Sequence, residues 1–141
     1  MPRKQRRSTV STKAEADYAA DAALAAQFDD LLATARAAEQ AFRSAQARAL
    51  PLAEVYPLAR DLDAALTGAM RSAYAAERAQ IGPRGYEDRI YRRKAKATPA
   101  VHAWTDEAER LLTMRETHRL TGIPPAPRTG LPGGIVTNIP A

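Results

Sequence analysis

The sequence contains no cysteine. This absence excludes disulfide bonds, thiolate nucleophiles and metal sites with cysteine ligands. No apolar run approaches the roughly 18 residues that a membrane-spanning helix needs. The basic residues near Met1 are followed by no uninterrupted apolar stretch of the kind found in secretion signals. We therefore expect an intracellular protein with no membrane partner.

Aromatic residues and catalytic motifs are also scarce. Aromatics make up 6% of the chain, and the two histidines, His102 and His118, lack the spacing of a His-Glu-x-x-His metal site. Neighbouring acids such as Asp29 and Asp30 point in different directions on a helix. No phosphate-binding loop, nucleophile elbow or dinucleotide fingerprint occurs. We therefore expect no enzymatic activity, no cofactor, no metal site and no small-molecule substrate.

Basic residues are concentrated in two short blocks. The net charge is +5. Residues 1–13 contain five basic residues and no acid, and residues 82–97 contain six basic residues and two acids. The remaining helical segments are close to neutral or acidic. This layout is typical of a protein that contacts a polyanion at defined places.

Alanine is abundant, and arginine outnumbers lysine 17 to 4 among the 21 basic residues. Such a composition is usual for proteins encoded by GC-rich genomes. We expect a bacterial or bacteriophage source, and hence a location in the host cytoplasm or in the virion.

Residues 15–49 are predicted to form one long helix, because the segment contains neither glycine nor proline. Thr12 is predicted to cap this helix, with Glu15 completing a capping box. Its apolar residues recur at alternating steps of four and three, as in a heptad seam: Leu24, Phe28, Leu31, Ala35, Ala38, Phe42, Ala45 and Ala49.

A proline is expected to end that helix and open the next. The residue before proline is disfavoured in helical geometry, so the first helix should stop at Leu50-Pro51, and Pro51 or Pro57 should begin a second one running to about Gln80. The result is a long antiparallel helical hairpin over 14–81. Because many seam positions are alanine, we expect the hairpin to need a partner, and we predict an oligomerisation surface made of Leu24, Phe28, Leu31, Phe42, Leu62 and Leu66.

A short third helix is predicted over 98–121, with Thr98 as its N-cap and Pro99 at its first position. It would complete a helical domain over 14–122. The tail, 123–141, contains five prolines, so we expect it to be extended, with a segment near Ile135 able to join a partner's sheet edge. The predicted architecture is thus all-α, with an extended basic N-terminal arm (1–13) and a Pro/Gly-rich C-terminal tail.

The basic arm is predicted to bind nucleic acid. Its cations can neutralise about four or five phosphates without reading sequence. The alternatives are a solubilising tail, or contact with a membrane or an acidic protein. The residues of the predicted contact are Arg3, Lys4, Arg6, Arg7 and Lys13.

The second basic block has two interpretations. Tyr86 and Tyr91 can stack on bases while the neighbouring cations meet phosphates. Alternatively, these tyrosines pack a short helix onto the hairpin while the cations stay in water. The predicted nucleic-acid-binding residues here are Arg89, Arg92, Arg93, Lys94 and Lys96.

One stretch of the chain resembles a known family. Residues 35–80 contain an Ala/Arg-rich helix, then Ala49-Leu50-Pro51-Leu52-Ala53-Glu54-Val55, then an Arg/Ala/Leu-rich helix. This pattern is similar to the helical, oligomer-forming part of some small terminase subunits, the DNA-packaging proteins of tailed phages. In that family an N-terminal helix-turn-helix precedes it, whereas here only a short basic arm does. The resemblance implies a ring-forming protein that recognises DNA and passes it to a motor subunit.

The sequence therefore supports two hypotheses. The first is a non-enzymatic helical assembly protein, a homo-oligomer, that contacts nucleic acid, with DNA favoured over RNA, as in phage DNA packaging. The second is a structural virion component, such as a capsid, head-completion or connector protein, whose extended termini thread between neighbouring subunits.

Overall fold

All regular structure in residues 10–123, the part that the computed structural model describes, is helical, as predicted. The predicted tail beyond Ile123 and most of the predicted arm lie outside these residues. A 3₁₀ turn covers Pro83–Tyr86 and a π turn covers His118–Gly122. The five α-helices are α1 (Thr12–Ala25), α2 (Phe28–Ala47), α3 (Leu52–Ile81), α4 (Arg89–Lys96) and α5 (Pro99–Thr117).

The predicted first helix is in fact two helices, α1 and α2, separated at Ala26 and Gln27. The carbonyl of Leu24 accepts a hydrogen bond from the Gln27 amide at 3.1 Å and a second from the Ser72 hydroxyl at 2.8 Å. Ser72 belongs to α3 and is fully buried. A side chain from another helix therefore bonds the carbonyl at the break, a known cause of helix bending.

Helix α1 also begins differently from the prediction. Ser11, and not Thr12, is the N-cap, because the Ser11 hydroxyl accepts a hydrogen bond from the Ala14 amide at 3.1 Å. Thr12 is the first helical residue. The predicted capping box with Glu15 is therefore wrong by one position.

The predicted proline boundary between the first two helical segments is confirmed. Helix α2 ends at Ala47, Ala49 has a φ of 51°, and Pro51 caps α3. Pro57 lies inside α3, so Pro51 is the proline that opens this helix. The helix ends at Ile81, one residue after the predicted end.

Helix α3 is the central element, and α1, α2 and α5 all pack against it. Leu31 lies against Gly68, whereas Leu24 lies beside Ser72, so the chain from α1 to α2 runs antiparallel to α3. Fully buried alanines, including Ala69, allow the helices to approach closely.

The residues predicted as an oligomerisation surface lie mostly inside this core. Burying one large apolar side chain contributes about 1.5–3 kcal/mol, so the seam stabilises the single chain first. Leu24 and Leu31 are half-buried. The other four are buried within the chain: Phe28, Phe42, Leu62 and Leu66.

Helix α5 begins as predicted, with Thr98 as N-cap and Pro99 at its first position. The Thr98 hydroxyl, however, donates to the Ala95 carbonyl at 2.6 Å and makes no capping bond to α5. Val101 and Leu111 of α5 are buried. The α-helix ends at Thr117, because the last predicted turn is a π turn.

Candidate nucleic-acid interface

A turn that packs closely on α3 begins the second basic block. Gly82, with a φ of 98°, ends α3, and a Cβ on Gly85 would lie 2.3 Å from Cγ2 of Ile81. A side chain at position 85 would therefore force Ile81 or the turn to move. The carbonyl of Gly85 accepts a hydrogen bond from the Arg92 guanidinium at 3.1 Å. Asp88 then caps α4 by accepting from the Tyr91 amide at 2.9 Å.

Helix α4 presents one face to the body and the other to solvent. No residue of α4 is buried. At 3.6 residues per turn, positions 91, 92 and 95 share the inner face, and all three are half-buried. The outward face consists of Arg89, Ile90, Arg93 and Lys94, all of which are exposed.

The predicted cations of this block divide into two groups. Lys96 lies 3.7 Å from the buried carboxylate of Glu77, and Arg92 is bonded to the turn. In residues 10–123, by contrast, no carboxylate oxygen lies within 4.0 Å of the side-chain nitrogens of Arg89, Arg93 or Lys94. These three cations form an outward basic face that no described acid neutralises.

The start of α1 lies beside Glu87, the residue before the N-cap of α4. The Ser11 amide donates to both carboxylate oxygens of Glu87, at 3.2 Å each, across 76 positions of sequence. Lys13 is exposed in the first turn of α1. Arg3, Lys4, Arg6 and Arg7 lie outside the described residues. The described end of the arm, at Ser11, lies beside Glu87, which precedes α4.

A polar cluster fixes this junction to the core. Arg78 of α3 donates two hydrogen bonds to Asp21 of α1, at 2.8 and 3.0 Å, and the Tyr86 hydroxyl donates to the same carboxylate. Burial raises the pKa of Asp21, but the hydrogen bonds from Arg78 and Tyr86 outweigh it and leave the pKa below its usual value. Burial and the bond to Asp21 raise the pKa of Tyr86.

Both tyrosines of the second basic block make contacts within the chain. The Tyr86 hydroxyl is bonded to Asp21, and the Tyr91 ring lies 4.6 Å from the Arg84 guanidinium carbon. Both contacts fit the packing interpretation of these side chains. Sequence reasoning missed Glu87 as part of this junction, because its contact with Ser11 is long-range and leaves no local signal.

The histidines occupy unrelated positions. His102 is exposed, 3.4 Å from Asp106. His118 is buried, with Nε2 2.8 Å from the Ala59 carbonyl and its ring edge-on to Phe42. Because a carbonyl only accepts, Nε2 of His118 donates this hydrogen bond. Among residues 10–123, no cluster of three histidine or acidic side chains is placed to hold a metal ion.

A furrow between α2 and α5 is the other notable surface. Both helices pack on α3, and the space between them has a volume of about 400 Å³. Its lining includes Phe42, Leu62 and Leu66, three of the predicted oligomerisation residues. Thr113 and Thr117 line it as exposed residues of α5.

Comparison of the chain with protein-family models, curated proteins and solved structures finds no match. The resemblance to small terminase subunits therefore stays a hypothesis based on residues 35–80. In the part of the chain that the structure describes, no helix is both long and apolar enough to cross a membrane.

Proposed function

We propose that the protein binds nucleic acid, without catalysis, through one basic end built from the arm and the outward face of α4. The observation that carries this proposal is the contact between Ser11 and Glu87. It places the attachment point of the first basic block beside the second block. Two sets of cations that are distant in sequence then act on one polyanion.

The charge available is sufficient for salt-sensitive binding. The arm supplies five cations, and α4 supplies the three that no described carboxylate neutralises. A protein that contacts 6–10 phosphates loses about 10³–10⁵ in affinity between about 50 and 200 mM salt. We expect a dependence in this range, with little preference among sequences from the phosphate contacts themselves.

The test is duplex-DNA binding, by fluorescence anisotropy, across that salt range. The variant Arg89→Ala/Arg93→Ala/Lys94→Ala should lower the magnitude of the logarithmic salt slope by about 2.7, since each lost phosphate contact removes about 0.9. The matched control Arg36→Ala/Arg60→Ala/Arg71→Ala removes the same charge from exposed positions on α2 and α3. Its slope should stay near that of the wild type.

The arm is tested separately. Replacing Arg3, Lys4, Arg6, Arg7 and Lys13 by alanine should lower the slope by about 4.5. Absence of binding at about 50 mM salt, or equal losses in the α4 variant and its control, would contradict the proposal. Within it, the resemblance to small terminase subunits suggests phage DNA packaging as the process served.

The furrow favours a second, compatible function, self-assembly. A helix of a second copy laid between α2 and α5 would contact the exposed Thr113 and Thr117 of the lining. Thr113→Arg/Thr117→Arg places two cations in that path and should abolish concentration-dependent association in sedimentation velocity. Ala103→Arg, on an exposed part of α5 outside the furrow, is the control. A wild-type chain that stays monomeric at high concentration would rule this function out.

A further inference from the structure

We propose that α4 enters the major groove of duplex DNA and that Ile90 contacts thymine methyl groups there. This inference rests on the proposed function and adds to it a source of base preference. It arises from the position of one apolar side chain in the middle of the outward basic face.

Ile90 is not used to hold α4 in place. Ile90 is 69% exposed. The inner face of the helix is supplied by Tyr91, Arg92 and Ala95, so Ile90 lies on the side away from the body. An isolated exposed apolar residue is common and alone indicates little. Here its surroundings decide the interpretation.

The neighbours of Ile90 are cations. On a helix surface, residues three and four positions apart are adjacent, which places Arg93 and Lys94 beside Ile90. Arg89, one position earlier, is exposed on the same outward face. None of the three has a described carboxylate within 4.0 Å. The face therefore offers an apolar centre bordered by positive charge, which complements an apolar group on the floor of a groove walled by phosphates.

The major groove of B-form DNA matches the outward face of α4 in size and in chemistry. It is about 12 Å wide and admits a helix, whereas the minor groove is about 6 Å wide. The thymine C5-methyl is the apolar group that it displays. The major groove of A-form RNA is too narrow for side chains to read, so the expected ligand is DNA. The eight residues of α4 span about 12 Å, enough to reach a few base pairs.

The experiment compares two duplexes of one sequence, in which thymine in the second is replaced by uracil. The change removes the methyl groups and keeps the base pairing and the phosphates. Each methyl buried against Ile90 should strengthen binding about fourfold. We expect the full chain to bind the thymine duplex about 4- to 15-fold more tightly than the uracil duplex.

The variant Ile90→Ala should reduce that ratio to near one, while its affinity for the uracil duplex and its salt slope stay close to those of the wild type. Leu120→Ala is the matched control, because Leu120 is 83% exposed and lies after α5, far along the chain from α4. Its thymine-to-uracil ratio should equal that of the wild type. Circular dichroism of both variants should be unchanged, since neither side chain is buried.

The outcomes separate the two proposals. No binding of the wild type to either duplex would overturn both. Binding without a thymine effect, or a thymine effect that survives Ile90→Ala, would overturn only the role of Ile90. Loss of binding to phosphatidylserine vesicles in Ile90→Ala, with the thymine-to-uracil ratio retained, would assign this face to a membrane surface and also overturn the inference.

Discussion

The two ends of α3 attach their neighbouring segments by different chemistry. At its C-terminal end, Asp21 of α1 accepts hydrogen bonds from Arg78 of α3 and from Tyr86 of the following turn. One half-buried carboxylate thus joins three segments. The attachment depends on charge and on two donors that converge on the same group.

Toward its N-terminal end, α3 packs against the π turn that follows α5. Buried His118 donates to the Ala59 carbonyl, while Arg119 donates to Asp63 at 2.6 and 3.1 Å. The interior contact here is made by an imidazole, and the ion pair lies at the surface. Hydrogen bonds from Arg119 lower the pKa of Asp63 despite its partial burial.

The comparison shows where the chain leaves charge available. Arg119 near the N-terminal end of α3 is paired with a carboxylate. Beyond the C-terminal end, Asp21 pairs with Arg78, but the outward cations of α4 have no described acidic partner. An arginine–aspartate pair is present at both ends, so neither attachment uses the outward cations of α4.

The largest effect should come from His118→Ala. This change removes a buried ring packed on Phe42 and leaves the Ala59 carbonyl without its side-chain donor. We expect a loss of about 3 kcal/mol in the free energy of unfolding, measured by urea titration. Hydrogen exchange should show lost protection in the last turn of α5 and little change in α1. Uniform loss across the chain would mean that the two ends are not independent.

A smaller effect is expected from Tyr86→Phe, which removes one donor from Asp21 and keeps the ring. The expected loss is about 1.5 kcal/mol, since the acceptor is charged and half-buried. Asp21→Asn should cost at least as much, because it also breaks the pair with Arg78. A Tyr86→Phe variant as stable as the wild type would show that Arg78 alone maintains this end.

The pH dependence should also differ between the ends. The pKa of Tyr86 is raised in the folded chain, so the folded state favours its neutral form. Its contribution is complete below the ordinary value of 10.0 and is lost as the pH rises toward the folded value. Unfolding titrations at pH 9 and 11 should show an alkaline loss that is reduced in Tyr86→Phe and unchanged in Asp63→Asn.

At acidic pH both ends should weaken. The pKa values of Asp21 and Asp63 are lowered below the usual 3.8, so each contribution is present above about pH 4 and is lost as the pH falls through the folded value. Asp21→Asn should flatten the acid limb of the stability profile, and Asp63→Asn should flatten it less, because the pair of Asp63 with Arg119 lies at the surface. An unchanged limb in both variants would place the acid sensitivity elsewhere.

Between the two ends of α3, Ser72→Ala should lower the free energy of unfolding by about 1 kcal/mol, measured by urea titration. The Leu24 carbonyl keeps its bond from the Gln27 amide, so only one of its two donors is lost. Ser72→Thr retains the hydroxyl but adds a methyl group at a fully buried position. If alanine is tolerated and threonine is not, the site is limited by packing and not by the hydrogen bond.

The smallest effect is expected from Arg119→Ala. Its pair with Asp63 lies at the surface, where side-chain entropy and solvent screening offset most of the attraction. Unfolding titrations should barely distinguish this variant from the wild type, in contrast to His118→Ala one position away. A large loss would show that the ion pair, and not the imidazole, holds this end.

Local signals in the sequence predicted the proline boundaries well. Pro51 and Pro99 constrain the backbone through their own rings, so the helix boundaries around them follow from one or two residues. The break at Ala26 has no such signal, because the hydroxyl that bonds the nearby Leu24 carbonyl belongs to Ser72 of another helix. Ser11 and Thr12 are adjacent and both have side chains that can cap a helix, which explains the error of one position.

The candidate site was predicted in composition but not in arrangement. The basic residues of α4 were identified from charge alone, but which of them face outward depends on how the helix sits on the turn at Gly85. The contact between Ser11 and Glu87 joins residues 76 positions apart. No periodic pattern or short motif carries that information.

The central place of α3 also has a consequence during synthesis on the ribosome. Helices α1 and α2 are made first, but the surface that they cover belongs to the 30 residues of α3. At about 5–20 residues per second, α3 takes about 2–6 s to translate. During that interval Phe28 and Phe42 lack their contacts with α3, and their ring contacts with Trp104 and His118 form later still. A chaperone that binds exposed aromatic side chains should therefore capture chains that stop before residue 81.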